Sequence, residues 1–192
     1  MADPLPMTAV PAGSPLGDAL SYDAAMPLSW TPLATLPGSL RLEQLNEDNL
    51  RVLAAVALLD EQRSGSASAD DGSPLDAEVQ RLNQKLNLVI DLLGFLVNQN
   101  APAPDARRVR LSWQGLVFGG EQPLGELGLI SLRLNRSVPQ PLVWPARIVH
   151  LDGDERHARF ETFGDAVQTA LERHVFLRHR RAIAGTRKSS AN

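Results

Sequence analysis

Between Arg107 and Gly115 the chain reads Arg-Arg-Val-Arg-Leu-Ser-Trp-Gln-Gly, with three arginines within four residues. Guanidinium presents a rigid fork of N–H donors that matches phosphate oxygens. A serine hydroxyl and the backbone amides of a glycine turn add donors of the same kind. The chemistry open to this stretch is the gripping of an anion, which makes Arg107, Arg108, Arg110, Ser112 and Gly115 the candidate ligand-binding residues. The plainer alternative is a row of solvated strand arginines, with Gly115 present for a bend.

The other reactive side chains point nowhere as clearly. The chain has no cysteine, which excludes disulfides, thiolate catalysis and Cys-based zinc or iron–sulfur sites and fits a reducing compartment. Ser112 lacks the flanking glycines of a nucleophile elbow. Gly119-Gly120, Gly125 and Gly128 read as turns, not as a nucleotide loop. His150 and His157 flank Asp152-Gly153, with Asp154 and Glu155 between them, but their spacing follows no metal motif. His174 and His179 are five apart and share no clean helical face. A non-enzymatic protein without a metal or resident cofactor is expected.

Charge is unevenly spread around a net −3: residues 1–106 carry 14 acids and 5 bases, residues 107–192 carry 8 acids and 14 bases. Such asymmetry suggests two parts with different work, the second of them attractive to anions. The basic end, Arg173, Arg178, Arg180, Arg181, Arg187 and Lys188, has only Phe176 among it. No reading helix accompanies it, so complementing a helix C-terminus is the simpler account and nucleic acid is not expected as a partner. No stretch approaches the ~20 apolar residues of a membrane span, and Met1 to Val10 has neither the basic residue nor the apolar core of a signal peptide. A cytoplasmic address is expected.

The elements that must position these residues follow from periodicity. Residues 1–39 hold seven prolines and no sustained period, which reads as a disordered or extended leader. From Leu40 to Arg63 a helical stripe runs through Leu45, Val52, Val56 and Leu59. A polar hinge, Ser64 to Gly72, follows. Ser73-Pro74, with Asp76 and Glu78, then opens a second helix. After Ala101-Pro102-Ala103-Pro104 the period becomes strand-like at Arg107–Trp113, Leu116–Phe118, Leu127–Asn135, Leu142–Leu151 and Glu155–Phe163, with a bend or edge at Pro145 and a tight turn at Asp152-Gly153. Short strands at this spacing make a small barrel or sandwich. A last helix begins near Asp165 and buries Val167, Ala170, Leu171 and Val175, and residues 185–192 read as a flexible tail.

The second helix carries a heptad seam. Leu75, Val79, Leu82, Leu86, Val89, Leu93 and Leu96 alternate steps of four and three. A lone helix cannot shelter such a seam, so it calls for helical partners. Ile90, Leu92 and Val97 widen the apolar arc beyond what two strands bury, which favours a bundle of three or four helices. Residues 40–100 therefore read as the oligomerisation region, with a homotetramer as the expected assembly. The alternative is that both helices pack back on the barrel of their own chain.

Residues 105–184 resemble a PilZ domain. The resemblance rests on the arginine-rich strand leading into Ser112-Trp113-Gln114-Gly115, on the strand order, and on a closing helix with the basic end Arg178-His179-Arg180-Arg181. It implies an α+β fold: a small antiparallel six-stranded barrel with a C-terminal helix, here preceded by two long helices that form a coiled-coil bundle. It also implies a link to cyclic di-GMP. The family's binding signature pairs two arginines four apart with an acid or amide followed by x-Ser-x-x-Gly. Ser112 and Gly115 match the second half, Arg110 stands where the acid or amide belongs, and no two arginines here are four apart. Guanidinium is a donor only and cannot accept from a guanine edge. The chain thus resembles the oligomeric, atypical PilZ proteins, and the expected role is a non-enzymatic adaptor in cyclic di-GMP signalling that recognises a protein partner. A direct nucleotide receptor using the arginine cluster, and a scaffold with no ligand, are the alternatives.

Overall fold

The structure is a computed structural model, and it describes residues 19–65, ten residues between 78 and 93, and residues 104–189 other than 162. Six strands form a closed antiparallel barrel: β1 (Ser21–Pro32), β2 (Ala106–Ser112), β3 (Gly115–Gly119), β4 (Leu127–Leu132), β5 (Leu142–Asp152) and β6 (Glu155–Phe160). The order around the barrel is β1-β2-β3-β6-β5-β4. Two long helices lie against it, α1 (Ser39–Gly65) and α2 (Asp165–Ser189).

The interior is filled by the inward residues of each strand. Met26, Leu28, Val109, Leu111, Leu116, Phe118, Ile130, Leu132, Trp144, Ile148 and Phe160 are all buried in one cluster. Closure removes the exposed sheet edge, so every strand finds two neighbours.

The sixth strand comes from the segment read as a leader. Ser21 to Pro27 pair with β2, and Leu28 to Pro32 pair with β4. Residues 1–39 are therefore not a disordered leader throughout: Ser21–Pro32 complete the barrel. The prolines hid an exact alternation of Tyr22, Ala24, Met26, Leu28 and Trp30. Pro27 sits where the strand changes neighbours, and Pro32 ends it, so neither breaks a ladder. Residues 1–18 lie outside the described residues.

α1, the first part of the span 40–100, packs on its own chain. Its stripe Leu45, Asn49, Val52, Leu53, Val56 and Asp60 is buried within its own chain. The Asn49 amide donates to the Val143 carbonyl at 2.9 Å and accepts from the Val143 N–H at 2.8 Å. It thereby replaces a strand partner beyond the end of β6. Asp60 then accepts ion pairs from Arg178 and Arg181 of α2, each at 3.3 Å. The packing of the first helix on its own barrel is thus the alternative that holds for α1.

Two smaller expectations change. β5 is an interior strand, paired with both β4 and β6. Pro145 is tolerated there because its nitrogen, like its carbonyl, which accepts from Glu161 N–H at 2.9 Å, faces the β6 side just past the last pair, Ala146 and Phe160, so no donor of the paired ladder is lost. α2 continues through Ser189, so residues 185–189 are helical and not a loose tail. The heptad positions Val79, Leu82, Leu86, Val89, Ile90 and Leu93 are helical, whereas Leu75, Leu92, Leu96 and Val97 lie outside the described residues.

Candidate functional site

Strand alternation divides β2 cleanly. Val109 and Leu111 point into the barrel, and Arg108 and Arg110 point out. Directly opposite Arg110 on β1 stands Asp23. One carboxylate oxygen of Asp23 lies 3.5 Å from Arg108 Nε and 3.4 Å from Arg110 Nε. Arg107 Nη1 donates to the Gly119 carbonyl at 3.2 Å.

The three arginines line one groove of about 250 Å³ with Asp23, Val117, Phe118, Gly119, Asp154 and Glu155. Three guanidiniums thus face three carboxylates, and the groove is close to neutral. Its volume falls just below the roughly 300–1,000 Å³ typical of pockets that enclose a small ligand.

Ser112 and Gly115 are not part of that groove. Ser112 is buried, and its hydroxyl donates to the Gly115 carbonyl at 3.0 Å and accepts from the Gly115 N–H at 3.2 Å. The Ser-x-x-Gly spacing here closes the β2–β3 turn on itself. The structure therefore brings Arg107, Arg108 and Arg110 together and separates Ser112 and Gly115 from them. Asp23 was not read from the sequence as a site residue. Its signal was its place at a polar position of the alternating run from Tyr22 to Trp30.

A second polar constellation lies under α2. The Tyr22 hydroxyl is 2.9 Å from His174 Nε2, and both side chains are buried. Burial, reinforced by Arg178 and Arg181 and opposed by Asp60, lowers the His174 pKa to about 4. Burial likewise raises the Tyr22 pKa. Both groups are neutral near pH 7, because burial outweighs the opposing neighbouring charges.

The heptad residues show a different face. Val79, Leu82, Leu86, Val89 and Leu93 are 48–57% exposed on the single chain, while Ile90 is half-buried. Among the described residues no helix is long and apolar enough to cross a membrane.

A closed six-stranded barrel carrying a C-terminal helix and an outward arginine strand defines a PilZ-type domain. A family model described as an atypical PilZ domain, cyclic di-GMP receptor, matches residues 51–188, and the chain belongs to that family. The match begins within α1, so β1 lies ahead of it. Among solved structures, the chain is similar to a pathogenic protein from Xanthomonas campestris, a tetrameric PilZ domain self-assembled through an unusual helical bundle. The two are 30% identical with a TM-score of 0.66, over 87% of this chain and 92% of the other. No curated protein matches the sequence.

Proposed function

We propose that this protein is a non-enzymatic adaptor in cyclic di-GMP-linked regulation. Its heptad helices assemble four chains, and its barrels recognise a protein partner without holding the dinucleotide in the family's usual mode. The observation that carries this reading is Asp23. Its carboxylate already pairs with both outward arginines, Arg108 and Arg110. An incoming phosphate would have to displace that carboxylate and then sit among Asp154 and Glu155. The Ser112 hydroxyl is committed to its own turn. The tetrameric assembly of the Xanthomonas relative supports the assembly half of the proposal.

Titration calorimetry of the full-length chain with cyclic di-GMP tests the reading. No binding heat is expected in the micromolar range. Micromolar binding that disappears in Arg108→Ala would overturn the adaptor and establish a direct receptor built on the arginine strand.

A further inference from the structure

The tip of the β5–β6 hairpin gathers four polar side chains, of which only Glu155 belongs to the arginine groove. His150 pairs with His157 across the two strands, and Asp152 pairs with Glu155. Directly opposed residues of an antiparallel pair share a face, and so do residues two apart on one strand. All four side chains therefore project from one face of the hairpin. Gly153, at φ 54°, makes the tight turn that sets this register.

One carboxylate oxygen of Asp152, one of Glu155 and one ring nitrogen of His157 lie within 4.8 Å of one another. The His150 and His157 ring centroids are 5.1 Å apart, edge to face. A second observation is independent of this clustering. His157 is only 9% exposed, and neither of its ring nitrogens has a hydrogen-bond partner. A neutral imidazole carries one N–H and one lone pair, and buried polar groups of this kind are normally satisfied. The orphaned lone pair sits beside two carboxylates, which is the arrangement a cation completes.

We propose that Asp152, Glu155 and His157 form a binding site for a divalent first-row transition cation of the zinc type. The donor set decides the class. Calcium and magnesium take oxygen ligands throughout, and copper(I) favours thiolate or thioether. One imidazole with two carboxylates suits zinc, whose N and O ligands sit at about 2.0–2.2 Å and hence about 3.4 Å from one another in a tetrahedron. Closing the cluster to that spacing needs side-chain rotation at Asp152 and Glu155, both of which are exposed. The fourth position falls to His150 across the strand pair. The nearby charge of Arg110 disfavours a cation, and its ion pair with Asp23 offsets that in part.

The test is calorimetric titration of chelator-treated full-length protein with zinc. One zinc per chain is expected, with a dissociation constant in the micromolar range. His157→Gln should abolish it, and Asp152→Asn and Glu155→Gln should each weaken it tenfold or more. The two carboxylate variants change exposed side chains, so they keep the test valid if His157→Gln fails to fold. Cobalt(II) gives a second reading: intense visible bands of four-coordinate cobalt in the parent chain, lost in Glu155→Gln. Absence of zinc uptake, or uptake of unchanged affinity in both carboxylate variants, overturns the proposal.

Discussion

Gly128 is held to glycine by an indole. A Cβ placed there would overlap the Trp30 side chain. The indole has little room to retreat, because Trp30 Nε1 donates to Glu126 and its ring stacks on Phe118 with centroids 6.1 Å apart. Gly128→Ala is therefore expected to cost about 1–3 kcal/mol, the usual penalty of overpacking. Urea denaturation measures it, and an unchanged midpoint would show that the indole swings aside freely. The same scale shows what residue types alone conveyed about the candidate site. Arginines at alternate positions of a strand were legible as an outward row. Their neutralisation by Asp23 was not, because the strand that carries it is separated from β2 by more than seventy residues. Ser112 misled for a related reason: a serine three residues before a glycine suits a ligand loop and a self-closed turn equally, and only its burial separates the two.

At the scale of elements, most of the barrel was readable because its strands alternate and its turns carry glycine. β1 was not, since Pro27 and Pro32 lowered its strand character while the ladder partners that tolerate them are distant in sequence. α1 was read as a helix with the right stripe, but the stripe could not say whether it faced its own barrel or another chain. Asn49 and Asp60 in the buried stripe were the clue, since buried polar groups need particular partners. The junction of β1, α1 and α2 carries a prediction of its own. Tyr22 from β1 meets His174 of α2, with Asp60 of α1 and Arg178 and Arg181 of α2 as the charged neighbours. His174 has a folded pKa of about 4 against an ordinary 6.5. The unfolded chain therefore binds a proton that the folded chain refuses between those values, and stability falls as pH drops from about 6.5 to about 4. Moving from pH 7.5 to 5.0 should cost about 2 kcal/mol at this one group. Urea titrations at the two pH values should show that loss in the parent chain. His174→Gln should lose less by about that amount, because carboxylates contribute equally to both. An identical pH dependence in the two proteins would show that the His174 side chain takes up its proton equally in the folded and unfolded chains.

The whole molecule poses a question that no single chain answers: what covers the heptad seam. Five positions, Val79, Leu82, Leu86, Val89 and Leu93, remain about half exposed while the barrel core is closed. Fully burying a Leu or Val is worth about 1.5–3 kcal/mol, so the exposed half of each leaves roughly 1 kcal/mol unclaimed, or about 5 kcal/mol per chain. Pooled over two chains, that gain is comparable with the cost of association, about 4–15 kcal/mol, whereas four chains bury a wider arc each. The arc widened by Ile90 is the reason to expect four. Leu86 lies at the middle of the described seam, and Leu86→Lys places one ammonium per chain in the same layer of the bundle. In a tetramer four such charges meet in an apolar interior, and desolvation with mutual repulsion exceeds what the remaining seam supplies. Light scattering on the parent chain should therefore return four chain masses, and on Leu86→Lys one. Folding should be unaffected, because the barrel and α1 have their own core, and the urea midpoint of the variant barrel should not move with protein concentration. A parent chain that scatters as a monomer would mean that the seam is covered by something other than copies of itself.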